Sequence, residues 1–280
     1  MDYYKLSFPT DNSPETADIL AYELGEIGFE SFDENENTFN AYVQKDLFNQ
    51  ESLNEICERY KSQINMNYEM QLIPTTNWNA AWESTYQPIE IENILRIRAS
   101  FHEPKPGFEH EIVIVPKMSF GTGHHDTTQL VAKAMRLLEL KNKRVLDMGC
   151  GTGILAIYAE KLGASQVHAI DIEDFAYENT LENVALNGCS SILVDKGGAE
   201  KITLGPYTVI LANINKNILL QQIPTYGKNL LPGGVLLLSG FFESDAPDLI
   251  NACKNAGMEF ASKYLSNNWT CLQFLKPALG

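Results

Sequence analysis

The chain has 280 residues, more than one compact core ordinarily holds, so two domains are expected. With 44% hydrophobic and 20% charged residues it reads as globular, and no apolar run approaches the roughly 20 residues of a bilayer crossing. A net charge of −15 and a pI near 4.7 repel phosphate backbones, which speaks against direct DNA binding; they suit a basic protein partner, or solubility alone. The start, MDYYKLSFPTD, lacks the long apolar centre of a secretory signal, so a cytoplasmic location is expected. Five cysteines (Cys57, Cys150, Cys189, Cys253, Cys271) are scattered without C-x-x-C spacing and read as reduced, structural thiols.

Along the chain, YYKLSF alternates like a half-buried strand with Tyr4, Leu6 and Phe8 on one face. In SPETADILAYELGEIG, Ser13 caps a predicted helix, Pro14 fits its first turn, and Leu20, Leu24 and Ile27 share a side. FESFD and TFNAYVQ read as a strand pair around the polar turn ENEN. SLNEICERYKSQI then places Leu53, Ile56, Cys57, Tyr60 and Ile64 at helical spacing, and YEMQLIP alternates Tyr68, Met70 and Leu72. The order β-α-β-β-α-β over residues 1–73 is a small α+β, ferredoxin-like pattern without a motif that carries chemistry. Residues 74–92 read as a connector in which Trp78 and Trp82, four apart, form a packing stripe on a short helix.

LRIRASF and EIVIVP are further strand candidates at the start of the expected second domain, 93–280. Beyond residue 127 helices and apolar strands alternate. The strands are RVLDMG, QVHAIDI, ILVDK, YTVILAN, GVLLLSG and the C-terminal MEFASKYL and TCLQFL. Segments such as VLLLSG are apolar on both faces, as in a parallel sheet covered by helices on both sides.

VLDMGCGTGILAI is the most informative stretch. A strand ends at Asp147, Gly149, Gly151 and Gly153 follow at alternate positions, and a helix begins. Such a strand–turn–helix junction lies where α/β sheets bind ligands, and glycine admits a ligand with no Cβ in the way. Dinucleotide folds use G-x-G-x-x-G and seat a pyrophosphate at the helix N-terminus. Here the spacing is G-x-G-x-G, and a carboxylate beside the loop repels pyrophosphate but suits an ammonium or sulfonium. Asp171, ending QVHAIDI, is placed to accept from both hydroxyls of an adenosine ribose. An unphosphorylated adenosine with a cationic amino-acid tail describes S-adenosyl-L-methionine. Asp147 capping backbone amides and Asp171 as a solvated strand end are the plainer alternatives. In LANINKN, Asn213 either faces the transferred group or holds a turn.

These residues resemble the PrmA family, the methyltransferases of ribosomal protein L11, which are class I S-adenosylmethionine-dependent enzymes. FGTGHHDTT, VLDMGCGTGILAI, AIDIED, ENVALNG, LANI and LPGGVLLLSG stand in that family's order. The resemblance covers nearly the whole chain, more weakly in the amino-terminal part. It implies a Rossmann-like, mostly parallel seven-stranded sheet, with the small amino-terminal domain recognising substrate. It also implies cofactor contacts from Thr128, Gly149, Asp171 and Asn213, joined by Gly151, Gly153 and Asp147 of the glycine turn, with Asn213 as the catalytic candidate. The substrate implied is a basic ribosomal protein, methylated on lysine side chains and its amino terminus. Asp126 departs from the proline common in the family, and Phe241 from isoleucine. A methyltransferase for glutamine or nucleic-acid adenine is the rival; LANI lacks the prolines and aromatic of an N-P-P-Y turn. A nicotinamide oxidoreductase meets the glycine spacing as an objection. A non-catalytic cofactor-binding assembly factor stays open, and no feature demands more than a monomer.

SFGTGHHDTT, residues 119–128, precedes a predicted helix through LVAKAMRLLEL. Asp126 with Gln129 fits a capping box, and His125 reads as a loop-ordering residue rather than a base. Adjacent histidines without a further ligand cluster do not make a metal site.

Overall fold

The computed structural model describes residues 2–10, 14–35, 38–74, 83, 85–117 and 121–278. Ser13, half of the ENEN turn, Trp78, Trp82, Ser119 and Phe120 lie outside the described residues. The chain divides into two compact units, Met1–Thr85 and Tyr86–Gly280.

In the smaller unit, β1 (Tyr3–Pro9), β2 (Ser31–Asn35), β3 (Thr38–Gln44) and β4 (Glu69–Ile73) form an antiparallel sheet in the order β2-β3-β1-β4. Helices α1 (Pro14–Glu26) and α2 (Gln50–Tyr60) complete the ferredoxin-like arrangement. Leu20 and Leu24 from α1 and Leu53 and Ile56 from α2 bury against Leu6, Phe8, Ala41 and Val43. Asn49, which the pattern did not single out, caps α2 by accepting from the amides of Glu51 and Ser52. On β4, Met70 and Leu72 stay 48% and 43% exposed despite their alternation, because that strand is the sheet's edge.

The larger unit opens with a separate three-stranded sheet, β5 (Ile89–Ile91), β6 (Leu95–Ala99) and β7 (His110–Ile114). Sequence reading found β6 and β7 but placed β5 inside the connector. Arg96 and Arg98 brace this sheet by both pairing with the Glu111 carboxylate at 2.8 Å.

The main sheet contains β8 (Arg144–Met148), β9 (Gln166–Asp171), β10 (Ile192–Lys196), β11 (Tyr207–Asn213), β12 (Leu230–Phe242), β13 (Glu259–Ser266) and β14 (Trp269–Leu275). Its order is β10-β9-β8-β11-β12-β14-β13; β14 runs antiparallel to both neighbours and the remaining pairs are parallel. This is the expected Rossmann-like, mostly parallel seven-stranded sheet. Alternation on β8, β11 and β12 sends Val145, Leu211 and Leu237 to one face and Leu146, Ile210 and Leu236 to the other. Helices α3 (Asp126–Arg136), α4 (Ile154–Lys161) and α5 (Asp174–Leu186) cover the first face. Helices α6 (Lys216–Asn229) and α7 (Ala246–Asn255) cover the second. Two apolar faces explain why these strands carry so few polar positions. Helix α3 stops at Arg136, short of the predicted Leu140: the Leu137 amide turns back to Ala134 O, leaving Leu137 71% exposed.

Strand β12 carries a bulge between Ser239 and Phe241, centred on Gly240 at φ +97°. A Cβ there would stand 2.5 Å from Ile214 O, which is backbone and has no flexible end to move aside. Gly240→Ala is therefore expected to cost about 3 kcal/mol, from left-handed strain plus displacement of the β11 end, as a lower urea midpoint.

Candidate active site

The glycine turn joins the carboxyl end of β8 to α4. Gly149 and Cys150 donate their amides to Ile170 O, tying the turn to β9. Gly149 holds φ +74°, and a Cβ on it would collide with the Ile214 side chain, so only glycine fits. From behind, α5 braces the loop: Thr180 Oγ1 donates to Gly151 O, and Asn183 Nδ2 donates to Thr152 O, both at 2.8 Å. Asn183 Oδ1 also accepts from the Val115 amide, and Thr152 Oγ1 donates to Gly121 O. Buried Thr180, Asn183 (from the ENVALNG stretch) and Thr152 thus tie the turn to α5 and to the 121–123 loop.

In front of the turn lies a cleft of about 420 Å³, within the usual range of small-molecule sites. Its lining follows the order of the sheet: Gly197 and Gly198 after β10, Asp171 on β9, Gly149 and Gly151 after β8, Asn213 on β11, Gly240 on β12 and Trp269 on β14. Asp171 is already oriented, its Oδ2 accepting from Gly151 N at 2.8 Å and its Oδ1 from Glu173 N at 3.1 Å. Asn213 is 8% exposed; its Nδ2 makes a long 3.5 Å contact to Thr128 Oγ1, and its Oδ1 has no hydrogen-bond partner among the described residues. Asn213 and Thr128 line a separate void of about 10 Å³, room for about one water.

The predicted site residues divide. Gly149, Gly151, Asp171 and Asn213 line the cleft, and Thr128 lines only the small void. Gly153 lines neither; it faces the Thr180 side chain at the start of α4. Asp147 also lines neither. It is 1% exposed behind the turn without a well-formed hydrogen bond. Burial pushes its pKa up to about 7, opposed by the Ala156 amide and reinforced by the charge of Asp171. The folded protein thus keeps a proton that the unfolded chain releases near 3.8, so stability is lost as pH rises from about 4 to about 7. Asp147→Asn is expected to raise the unfolding free energy at pH 8 by at most on the order of 4 kcal/mol, read as a higher urea midpoint, and to change little at pH 4.

The capping box is corrected. His125, not Asp126, is the N-cap of α3, its Nδ1 accepting from the Thr127 amide at 3.3 Å. Gln129 donates to Gly123 O, and Asp126 accepts from Ser266 Oγ at 3.0 Å and Asn267 Nδ2 at 3.4 Å. Sequence reading missed Gly197, Gly198, Gln222 and Trp269, all of which line the cleft. The GG pair after a strand was a usable signal; the other two were not.

The family model for ribosomal protein L11 methyltransferase (PrmA) matches residues 11–277. The chain belongs to the PrmA family. It is 40% identical to the ribosomal protein L11 methyltransferase of Phocaeicola vulgatus over 98% of this chain and 99% of that one. Against the Porphyromonas gingivalis protein of the same description, identity is 42% over 98% of each chain. A crystal structure of the ribosomal protein L11 methylase from Lactobacillus delbrueckii subsp. bulgaricus, 32% identical, superposes with a TM-score of 0.64 over 69% of this chain and all of that one. By family the chain is a methyltransferase. Among the described residues no helix is long and apolar enough to cross a membrane.

Proposed function

We propose that this protein transfers methyl groups from S-adenosyl-L-methionine to amino groups, on lysine side chains and the amino terminus, of ribosomal protein L11. The observation carrying this reading is a cleft lined by both Asn213, whose buried amide oxygen has no partner among the described residues, and a preoriented carboxylate, Asp171. The residues present fit the cofactor: Asp171 would hold the ribose hydroxyls, the glycine turn would accept close approach, and Thr128 offers a hydroxyl beside Asn213. When bound, the cofactor supplies an electrophilic methyl on a cationic sulfur.

The protein's own part is positional. A free lysine has a pKa of about 10.4, and methylation needs its neutral form. A partly dry cleft beside a positive charge lowers that pKa, so no dedicated strong base is needed. Asn213 Oδ1 can accept an amine N–H and so aim the lone pair, or hold the cofactor's methionine end; orientation supplies much of the rate. His125 is committed through Nδ1 to the α3 cap, which disfavours it as a base. The net charge of −15 suits a basic ribosomal protein.

We further assign substrate recognition to the ferredoxin-like unit; of the expected 74–92 connector, residues 75–82 and 84 lie outside the described residues, and Ile89–Ile91 pair as β5 with β6. The decisive experiment incubates the protein with methyl-labelled cofactor and ribosomal proteins. Label on amines of L11 supports the reading; label on glutamine or nucleic acid, or none, rejects it.

A further inference from the structure

We propose that Trp269 is the wall on which the acceptor amine rests, and that Asp126 is the residue that latches this wall in place. The inference rests on the amine-methylating reading above and adds the positioning of the acceptor.

The cleft follows the order of the sheet, so its two ends differ. The β9–β10 end holds Asp171, Gly197 and Gly198, which suit a nucleoside. Asn213 on β11 stands at the change-over, leaving the β12–β14 end for whatever receives the methyl. The one carboxylate among the described lining residues, Asp171, lies at the opposite end, and the lining's two aromatic side chains are His125 and Trp269. Trp269 is half-buried, stacked on Phe242 with centroids 4.2 Å apart, and edge to face with His125 at 4.5 Å. An indole face attracts an ammonium through its ring quadrupole, so it can draw the charged acceptor into the cleft, where the cofactor's positive charge favours loss of the proton before transfer. It also holds an amine irrespective of how many methyls it carries.

The indole is placed by a tight hairpin. Ser266 and Trp269 close a two-residue turn in which Asn267 and Asn268 hold φ +46° and +68°. Asp126, at the first turn of α3, grips this tip by accepting from Ser266 Oγ and Asn267 Nδ2. The same first turn carries His125, so one carboxylate ties both aromatic groups of the acceptor end together. The ordinary alternative, Asp126 as a helix cap, is excluded by the His125 cap.

The test uses the full chain. W269A should raise the KM for L11 about tenfold, with cofactor affinity by calorimetry within about twofold of wild type, while W269F keeps most activity. D126A should raise the KM several-fold with kcat nearly unchanged. As a readout without turnover, tetramethylammonium chloride should shift one of the three indole N–H signals, the one lost in W269F, and tert-butanol, its uncharged isostere, should not. An unchanged KM in W269A, or no indole shift with tetramethylammonium, overturns the proposal. A wild type that methylates no amine sinks the functional reading instead, and this inference with it.

Discussion

Asn213→Ala is expected to lower kcat by roughly two to three orders of magnitude, while leaving the fold intact. The side chain makes one long contact, to Thr128 Oγ1 at 3.5 Å, so its removal deprives the core of little. What it does remove is the acceptor oxygen at the point where the nucleoside end of the cleft meets the aromatic end. An amine without that partner samples orientations in which its lone pair points away from the methyl. Steady-state kinetics together with calorimetry separates the two roles open to the residue. A fallen kcat with unaltered cofactor affinity assigns Asn213 to the amine; a parallel loss of affinity assigns it to the methionine end. Unchanged turnover removes it from the site.

Asp171→Ala should weaken cofactor binding about a hundredfold or more, because two charge-assisted hydrogen bonds are worth about 1.5–3 kcal/mol each before losses elsewhere. The variant also loses the acceptor for Gly151 N, now bonded at 2.8 Å, so the glycine turn itself loosens. Asp171→Asn separates these effects. It retains an oxygen able to accept from Gly151 but has lost the charge, so an intermediate affinity with near-normal stability is expected. Titration of cofactor into both variants reads the series; undiminished affinity in the alanine variant refutes the assignment.

Much of this was legible in the sequence because it is local. Period-2 and period-3.6 patterns placed the strands and helices, and apolar runs on both faces announced a parallel sheet. The alternate glycines of VLDMGCGTG fixed the turn, since few other residues tolerate its backbone. What escaped reading depends on partners remote in the chain. Asp126 looked like a helix cap because caps are Asp far more often than His; its actual partner, Ser266, is 140 residues away. Trp269 reaches the cleft only because β14 inserts between β12 and β13. Asp147 was expected at the ligand from its place beside the glycines, yet strand alternation points it into the interior instead. Residues 75–82, with both connector tryptophans, lie outside the described structure.

The polar brace from α5 has a consequence for anyone wishing to borrow this pocket. Thr180 and Asn183 anchor carbonyls of the turn from 29 and 31 positions downstream, and Thr152 fastens it to Gly121, 31 positions upstream. Transplanting the glycine turn alone into a foreign α/β scaffold would therefore carry over its letters without its shape. A graft that works must bring the helix and the upstream segment along as one cassette.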